Sequence, residues 1–134
     1  MQTYTESARR YLALGLKVIA LTGKTPNVRV HPHGIKDALS GDPESVTLRA
    51  CFEHPDTTGI GIATSYPYFV VDIDGEEGAQ NWRDLVGDDD YMPDRWVART
   101  GRGLHIWYAG VEPTNSIKLD TLLDLKGEGG YVAA

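Results

Sequence analysis

The sequence has a single cysteine, Cys51, among its 134 residues. One cysteine cannot form a disulfide within the chain, and this scarcity is typical of a reducing compartment, so we expect a cytoplasmic protein. No apolar run approaches the roughly 18 residues of a membrane-spanning helix. The polar residues 1–10 lack the apolar stretch of a signal peptide. These absences argue against a disulfide-rich secreted protein and against a membrane partner.

Basic residues are fewer than acidic ones, with 13 Lys and Arg against 19 Asp and Glu, which gives a net charge of −6. This balance argues mildly against a broad nucleic-acid-binding surface. Acids in a metal site would contribute to the sum, as would the cluster Asp88, Asp89 and Asp90, which is typical of a solvated loop. A local basic groove is therefore compatible with the charge. The length predicts one domain, residues 1–134, with a real core.

The most informative segment is 69–75, an apolar, β-branched run that contains Asp-Ile-Asp-Gly. It predicts a buried strand, and because side chains alternate along a strand, Asp72 and Asp74 should lie on one face. Two neighbouring carboxylates repel each other, and a hard cation such as Mg²⁺ or Mn²⁺ removes that cost. The alternative is a strand that enters an Asp-Gly turn with both acids solvated. From this segment alone the two interpretations are equally good.

Helices and strands are mixed in the first half of the sequence, and strands dominate the second. Thr5 predicts the cap of a first helix that runs to about residue 14, and Asp42-Pro43-Glu44 predicts the start of a second that runs to about residue 53. A third helix is expected over 76–86. Strands are expected over 17–21, 59–63, 69–73, 96–99, 104–108, 122–126 and from 131 onward, with a polar loop over 88–95. This order predicts an α+β fold with helices packed on a mixed, mostly antiparallel sheet.

Two late strands carry polar residues in phase with one face. His105 on one strand, and Asp124 and Lys126 on the other, alternate with apolar neighbours, so each should lie opposite the core. If both strands neighbour the central strand, these residues share a surface with Asp72 and Asp74. Three carboxylates suit one or two divalent cations, while His105 and Lys126 suit an anion such as a triphosphate.

The turn between 99 and 104 consists of Thr100, Gly101, Arg102 and Gly103. Its glycines let backbone amides approach a phosphate closely. Simpler explanations stay open for the whole set. His105 can be a strand histidine bonded to a carbonyl, Asp124 an exposed sheet residue, and Lys126 and Arg102 solvated charges.

Two other patterns are rejected as functional sites. His31 and His33 straddle Pro32, and we expect a surface loop there rather than a pair of metal ligands. Gly23-Lys24-Thr25 invites interpretation as a phosphate-binding loop, but that motif needs a glycine at the position of Val18.

Taken in order, the motifs resemble the bifunctional DNA primase/polymerase (prim-pol) N-terminal domain of the archaeo-eukaryotic primase superfamily. The resemblance rests on the Asp-x-Asp strand, on Thr-Gly-x-Gly-x-His ending at His105, and on Leu-Asp-Leu-Lys-Gly-x-Gly-Gly-Tyr-Val beginning at Leu123. Segments 24–26, 33–38 and 59–64 also follow the family's order. Each motif is weak alone, but the ordered set is specific and extends from about residue 15 to residue 134.

The resemblance implies a metal-dependent nucleotidyltransferase of primase/polymerase type that acts in DNA replication. The family's metal ligands fall on Asp72, Asp74 and Asp124, which would hold two Mg²⁺ or Mn²⁺ ions. Its phosphate-binding histidine falls on His105, and its basic residue, usually arginine, is Lys126 here. The nucleotide site is expected to include the turn residues Thr100, Gly101, Arg102 and Gly103. Implied partners are nucleoside triphosphates, a DNA template and primer, and a replicative helicase or C-terminal module, in a prokaryotic, plasmid or phage replication context.

The family usually continues after Gly-Gly-Tyr-Val with a Pro-Pro-Ser loop and further strands. We therefore expect either a truncated chain or a minimal version that lacks the C-terminal strands. This departure favours somewhat a second hypothesis, a non-catalytic nucleotide- or DNA-binding module of a larger replication assembly. A phosphatase of the haloacid dehalogenase type also begins with a strand and Asp-x-Asp, but it needs Thr or Ser where Glu76 stands, so it ranks lowest.

Overall fold

The described part of the computed structural model comprises residues 3–88, 96–110 and 112–134. It contains two compact units: the first is the chain up to Ala63 together with Tyr131–Ala134, and the second is Thr64–Gly130. In chain order the elements are α1 (Tyr4–Ala13), β1 (Lys17–Thr22), β2 (Thr25–Pro26), a 3-10 helix (Gly34–Asp37), α2 (Val46–Phe52), β3 (Gly59–Thr64), β4 (Tyr68–Asp74), α3 (Gly75–Val86), β5 (Val97–Arg99), β6 (Gly103–Ala109), β7 (Ile117–Asp120), β8 (Leu123–Lys126) and β9 (Gly130–Ala133). Helices and two mostly antiparallel sheets confirm the predicted α+β class. Within the described ranges no helix is both long enough and apolar enough to cross a membrane.

The first unit is built on a four-stranded sheet with the order β2-β1-β3-β9. The expected returning strand at the end of the sequence is therefore present as β9, at the edge of this sheet. Helices α1 and α2 supply apolar side chains to one core cluster with β1 and β3, formed by Ala8, Leu12, Val18, Ala20, Leu48, Cys51, Phe52 and Ile60. Cys51 is a small hydrophobic residue of this core, and burial raises the pKa of its thiol.

Both helices of the first unit begin at residues other than those predicted. Thr3, not Thr5, caps α1: its hydroxyl accepts the backbone N–H of Glu6 at 3.1 Å, and the Glu6 carboxylate accepts the Thr3 N–H. Likewise Ser45 caps α2 by accepting the N–H of Thr47, so the start predicted at Asp42 is wrong. The Asp42 side chain accepts the Glu44 N–H instead and closes a turn before the helix.

His31 does not lie on the surface, as the sequence had led us to expect, but is 1% exposed. Its Nε2 accepts the backbone N–H of Ala20 in β1 at 3.0 Å. A ring nitrogen that accepts a hydrogen bond carries no proton, so this imidazole is neutral. Burial lowers the pKa of His31, while the carboxylate and the backbone of Asp37 act in the opposite direction. His31 therefore has a structural role in the first unit.

The second unit is built on a five-stranded antiparallel sheet with the order β5-β6-β4-β8-β7. The strand that carries Asp-x-Asp is β4, at the centre of this sheet. One face is covered by α3, whose Trp82 packs against Val71, Ile73, Ile106 and Leu123. Since side chains alternate along a strand, the acids of β4 belong to the opposite face.

Two parts of the second unit differ from the sequence-based description. Strand β7 was not predicted, and it adds an edge to the sheet beside β8, with a register shift between Lys118 and Asp120. Of the polar loop predicted over 88–95, residues 89–95 lie outside the described residues.

Candidate active site

The site face of the second sheet carries a row of polar residues at one level across four strands. Asp72 on β4 lies directly opposite His105 on β6 and directly opposite Asp124 on β8. On the next strand, Lys118 of β7 lies opposite Asp124. Directly opposite residues of an antiparallel pair have their side chains on the same face, about 4.5–5.5 Å apart at Cβ. We call His105, Asp72, Asp124 and Lys118 the polar row.

Asp72 and His105 form the most buried contact of the polar row. His105 is only 8% exposed, and its Nε2 lies 3.3 Å from Oδ1 of Asp72. The hydrogen bond with His105 lowers the pKa of Asp72, burial raises it, and the charges of His105, Lys126 and Lys118 lower it further. The net shift is downward, so Asp72 is an ionised carboxylate at neutral pH.

Asp124 and Lys118 form the second ion pair of the row, with Nζ 3.0 Å from Oδ1. Lys118 was not among the residues predicted to form the site, because β7 itself was not predicted. The signal was present in the sequence: residues 117–120 alternate Ile, Lys, Leu and Asp, the two-residue period of a half-buried strand. In that pattern Lys118 stands at a polar position, and its pairing with β8 gives it Asp124 as a partner.

Asp74 lies at the end of β4, two residues beyond the polar row, and precedes α3 without capping it through its side chain. Its Oδ1 lies 3.7 Å from Nε of Arg102, which is at the tip of the turn after β5. Asp74 pairs in register with Gly103, where a Cβ atom would collide with the carbonyl oxygen of Ile73, so only glycine allows this approach. The Thr100 hydroxyl accepts the Gly103 N–H at 2.8 Å and fixes the turn, which includes Gly101. The backbone thus brings the turn beside Asp74.

Lys126 lies at the end of β8, opposite Val70 and two residues from Asp124, on the same face as the polar row. The following residue, Gly127, is held from two sides: its N–H donates to the Ser116 hydroxyl at 2.8 Å, and its carbonyl accepts the Thr64 hydroxyl at 2.9 Å. The glycine-rich segment after Lys126 therefore fixes the end of the strand that carries it.

The three acids are not gathered around one point. Among the described residues, no group of three or more His, Cys, Asp or Glu side chains is arranged to hold a metal ion. Each acid instead contacts a cationic or ionisable partner, which is His105 for Asp72, Arg102 for Asp74 and Lys118 for Asp124. Bare carboxylates repel one another, and a cationic or hydrogen-bonding partner offsets that repulsion.

The positions of the acids nevertheless fit a cation that prefers oxygen ligands. Asp72 and Asp124 are directly opposite each other, and Asp74 is the next residue of β4 on the same face. Directly opposite residues have Cβ atoms about 4.5–5.5 Å apart, which is close enough for two carboxylates to share a cation. Carboxylate oxygens are the ligands that Mg²⁺ and Mn²⁺ prefer.

Comparison with models of known protein families gives a match to this chain. The family model described as "Bifunctional DNA primase/polymerase, N-terminal" (Prim-Pol) matches residues 8–134, which is nearly the whole chain. The curated proteins contain no significant match, and neither do the solved structures.

Proposed function

Because the chain belongs to the bifunctional DNA primase/polymerase N-terminal (Prim-Pol) family, we propose that it is a metal-dependent nucleotidyltransferase. In this proposal it makes primers or extends them during replication, by adding nucleotides from NTP or dNTP on a DNA template. The observation that carries the proposal is the register of β4 with its two neighbours, which aligns Asp72 with both His105 and Asp124. Two acids and a histidine from three separate strands thus lie at one level of one sheet face.

Asp72, Asp74 and Asp124 are the residues that would hold divalent cations in this site. When bound, Mg²⁺ or Mn²⁺ lowers the pKa of an attacking 3′-hydroxyl and neutralises charge on the departing pyrophosphate. Asp72 is ionised at neutral pH, as a carboxylate ligand must be. Because β4 lies between β6 and β8, the backbone positions of Asp72 and Asp74 are fixed, which suits a pair of metal ligands.

The remaining predicted residues would bind the triphosphate. His105 is next to Asp72, and a ring N–H of its imidazole would donate a hydrogen bond to a phosphate oxygen. Lys126 supplies a cation on the same face, although a lysine lacks the two-pronged geometry of an arginine. The turn of Thr100, Gly101, Arg102 and Gly103 supplies backbone amides and one guanidinium near Asp74. A replicative helicase or C-terminal module is a proposed partner of the same assembly.

The proposal is tested by incorporation of labelled nucleotide into primed and unprimed DNA templates, with Mg²⁺ or Mn²⁺, by this chain alone. We expect incorporation by the wild type and a loss of about a hundredfold or more in Asp124→Asn, the scale on which removal of one transition-state charge partner acts. Asp88→Asn removes an acid that is 87% exposed and distant from β4 in sequence, so it is the matched control. If the chain binds nucleotide and DNA but incorporates nothing, it is a non-catalytic module instead.

A further inference from the structure

Lys118 has no role in the proposed reaction as described so far, and the sequence motifs do not include it. We propose that Lys118 is an exchangeable counter-ion: it neutralises Asp124 when the metal is absent, and it binds nucleotide phosphate when the metal takes Asp124. This inference rests on the proposed function and deepens it, because it names a further nucleotide-contacting residue and an order of events at the site.

The first support is the geometry of the pair. Lys118 and Asp124 are opposite each other in the register of β7 and β8, and the Lys118 ammonium donates to Asp124 Oδ1 at 3.0 Å. Within the described part of the chain, Asp124 is the only ionic partner of Lys118. The pair therefore links the edge strand to one of the three acids that the proposed reaction requires.

The second support is that the pair is held weakly enough to exchange. The Lys118 side chain is 60% exposed and that of Asp124 is 31% exposed. Ion pairs with this much solvent access contribute little to stability, because water screens the charges and the long side chain loses freedom. A divalent cation can therefore displace Lys118 from Asp124 at small cost. The lysine stem has four carbons, so the released ammonium stays within reach of the same face.

The third support is the arrangement of charge around Asp124, which has two lysines close to it in the sheet, Lys118 and Lys126. They lie on the same face, on β7 and at the end of β8. Once a cation neutralises Asp124, two ammonium groups remain beside it, that of Lys118 on the neighbouring strand and that of Lys126 two residues along β8. An anion with several charges, such as a triphosphate, is the ligand that such a pair attracts.

The test compares wild type with Lys118→Ala by titration calorimetry, first with Mn²⁺ alone and then with a non-hydrolysable deoxynucleoside triphosphate in saturating Mn²⁺. If Lys118 exchanges between Asp124 and phosphate, its removal should change the Mn²⁺ affinity and the nucleotide affinity in opposite directions. Mn²⁺ should bind roughly two- to fivefold more tightly in the variant, because a competing cation has been removed. The nucleotide should bind about fivefold more weakly or worse, because a charge-assisted contact has been lost. Lys17→Ala, at an exposed lysine of β1 in the first unit, is the control for net charge and should change neither affinity.

A second variant tests whether both effects depend on the charge of Lys118. Lys118→Arg keeps the charge, so it should restore Mn²⁺ affinity to near the wild-type value and recover most of the nucleotide affinity. Unchanged Mn²⁺ affinity in Lys118→Ala would overturn the exchange. Tighter Mn²⁺ with unchanged nucleotide affinity would overturn the phosphate contact. A lower Tm without metal, with both affinities unchanged, would show a purely structural lysine. A wild type that binds neither ligand would instead refute the proposed function, and this inference with it.

Discussion

Replacement of His105 by alanine separates a histidine that binds phosphate from one that binds metal. In the first case the variant loses one charge-assisted hydrogen bond to the triphosphate, about 1.5–3 kcal/mol, so nucleotide binding should weaken about tenfold or more. Hard cations prefer oxygen, and three carboxylates supply it, so Mn²⁺ affinity at neutral pH should stay within about a factor of three. Calorimetry with metal alone, and then with nucleotide plus metal, gives both quantities.

The contact between His105 and Asp72 adds a pH dependence to this prediction. His105 is the largest cause of the low pKa of Asp72, and burial acts against it. Without His105 the pKa of Asp72 rises, so on acidification a proton should displace Mn²⁺ at a higher pH in the variant than in the wild type. His54→Ala, which removes a histidine of the first unit, is the control. A variant that loses metal at neutral pH and keeps nucleotide would falsify the assignment of His105 to phosphate and the primase-type interpretation of the site.

Two further predictions concern stability. Asp74→Asn should abolish metal-dependent incorporation while the Tm of the metal-free protein stays equal or rises, because carboxylate repulsion is relieved and the lost partner Arg102 is 86% exposed; a clear fall in that Tm would show that Asp74 is structural. The second prediction is that His31 makes the fold less stable in acid. Its folded pKa lies below its unfolded value of about 6.5, so the unfolded state binds the proton first. The free energy of unfolding therefore falls as the pH drops from 6.5 to the folded pKa, by up to about 1.4 kcal/mol per pH unit. Urea unfolding at pH 7.5 and 5.5 measures this loss, and the difference in unfolding free energy between the two pH values should shrink in His31→Gln. Asp72 does not interfere, because its pKa is lowered from 3.8 and its contribution to stability is lost only below that pH.

Local patterns were enough to predict the centre of the second unit. Apart from Asp72 the run 69–73 is apolar and largely β-branched, and it is the centre of β4. The alternation of His105 and Asp124 with apolar neighbours assigned both residues to one face, and the register of β4 with β6 and β8 aligns them with Asp72. The two-residue period was enough to predict this face, because a strand with one buried face has a strongly specified register.

Features that depend on competition or on distant partners could not be predicted in this way. Asp42 and Ser45 are both good caps, and the sequence does not show which one the helix uses. The burial of His31 depends on the Ala20 amide, which belongs to another element of the first unit. Lys118 acquires a role only through the pairing of β7 with β8, and an exposed strand of four residues at a sheet edge gives a weak sequence signal.

If Asp72, Asp74 and Asp124 form one site for divalent cations, as we propose, anomalous diffraction can locate those cations. Crystals grown with Mn²⁺ and a non-hydrolysable deoxynucleoside triphosphate locate the metal without reference to activity. We expect anomalous peaks about 2.1 Å from carboxylate oxygens of all three residues, the distance typical of small hard cations. We also expect that Lys118 has left Asp124. Mn²⁺ bound elsewhere, with Asp124 still paired to Lys118, would show that the three acids do not form a metal site.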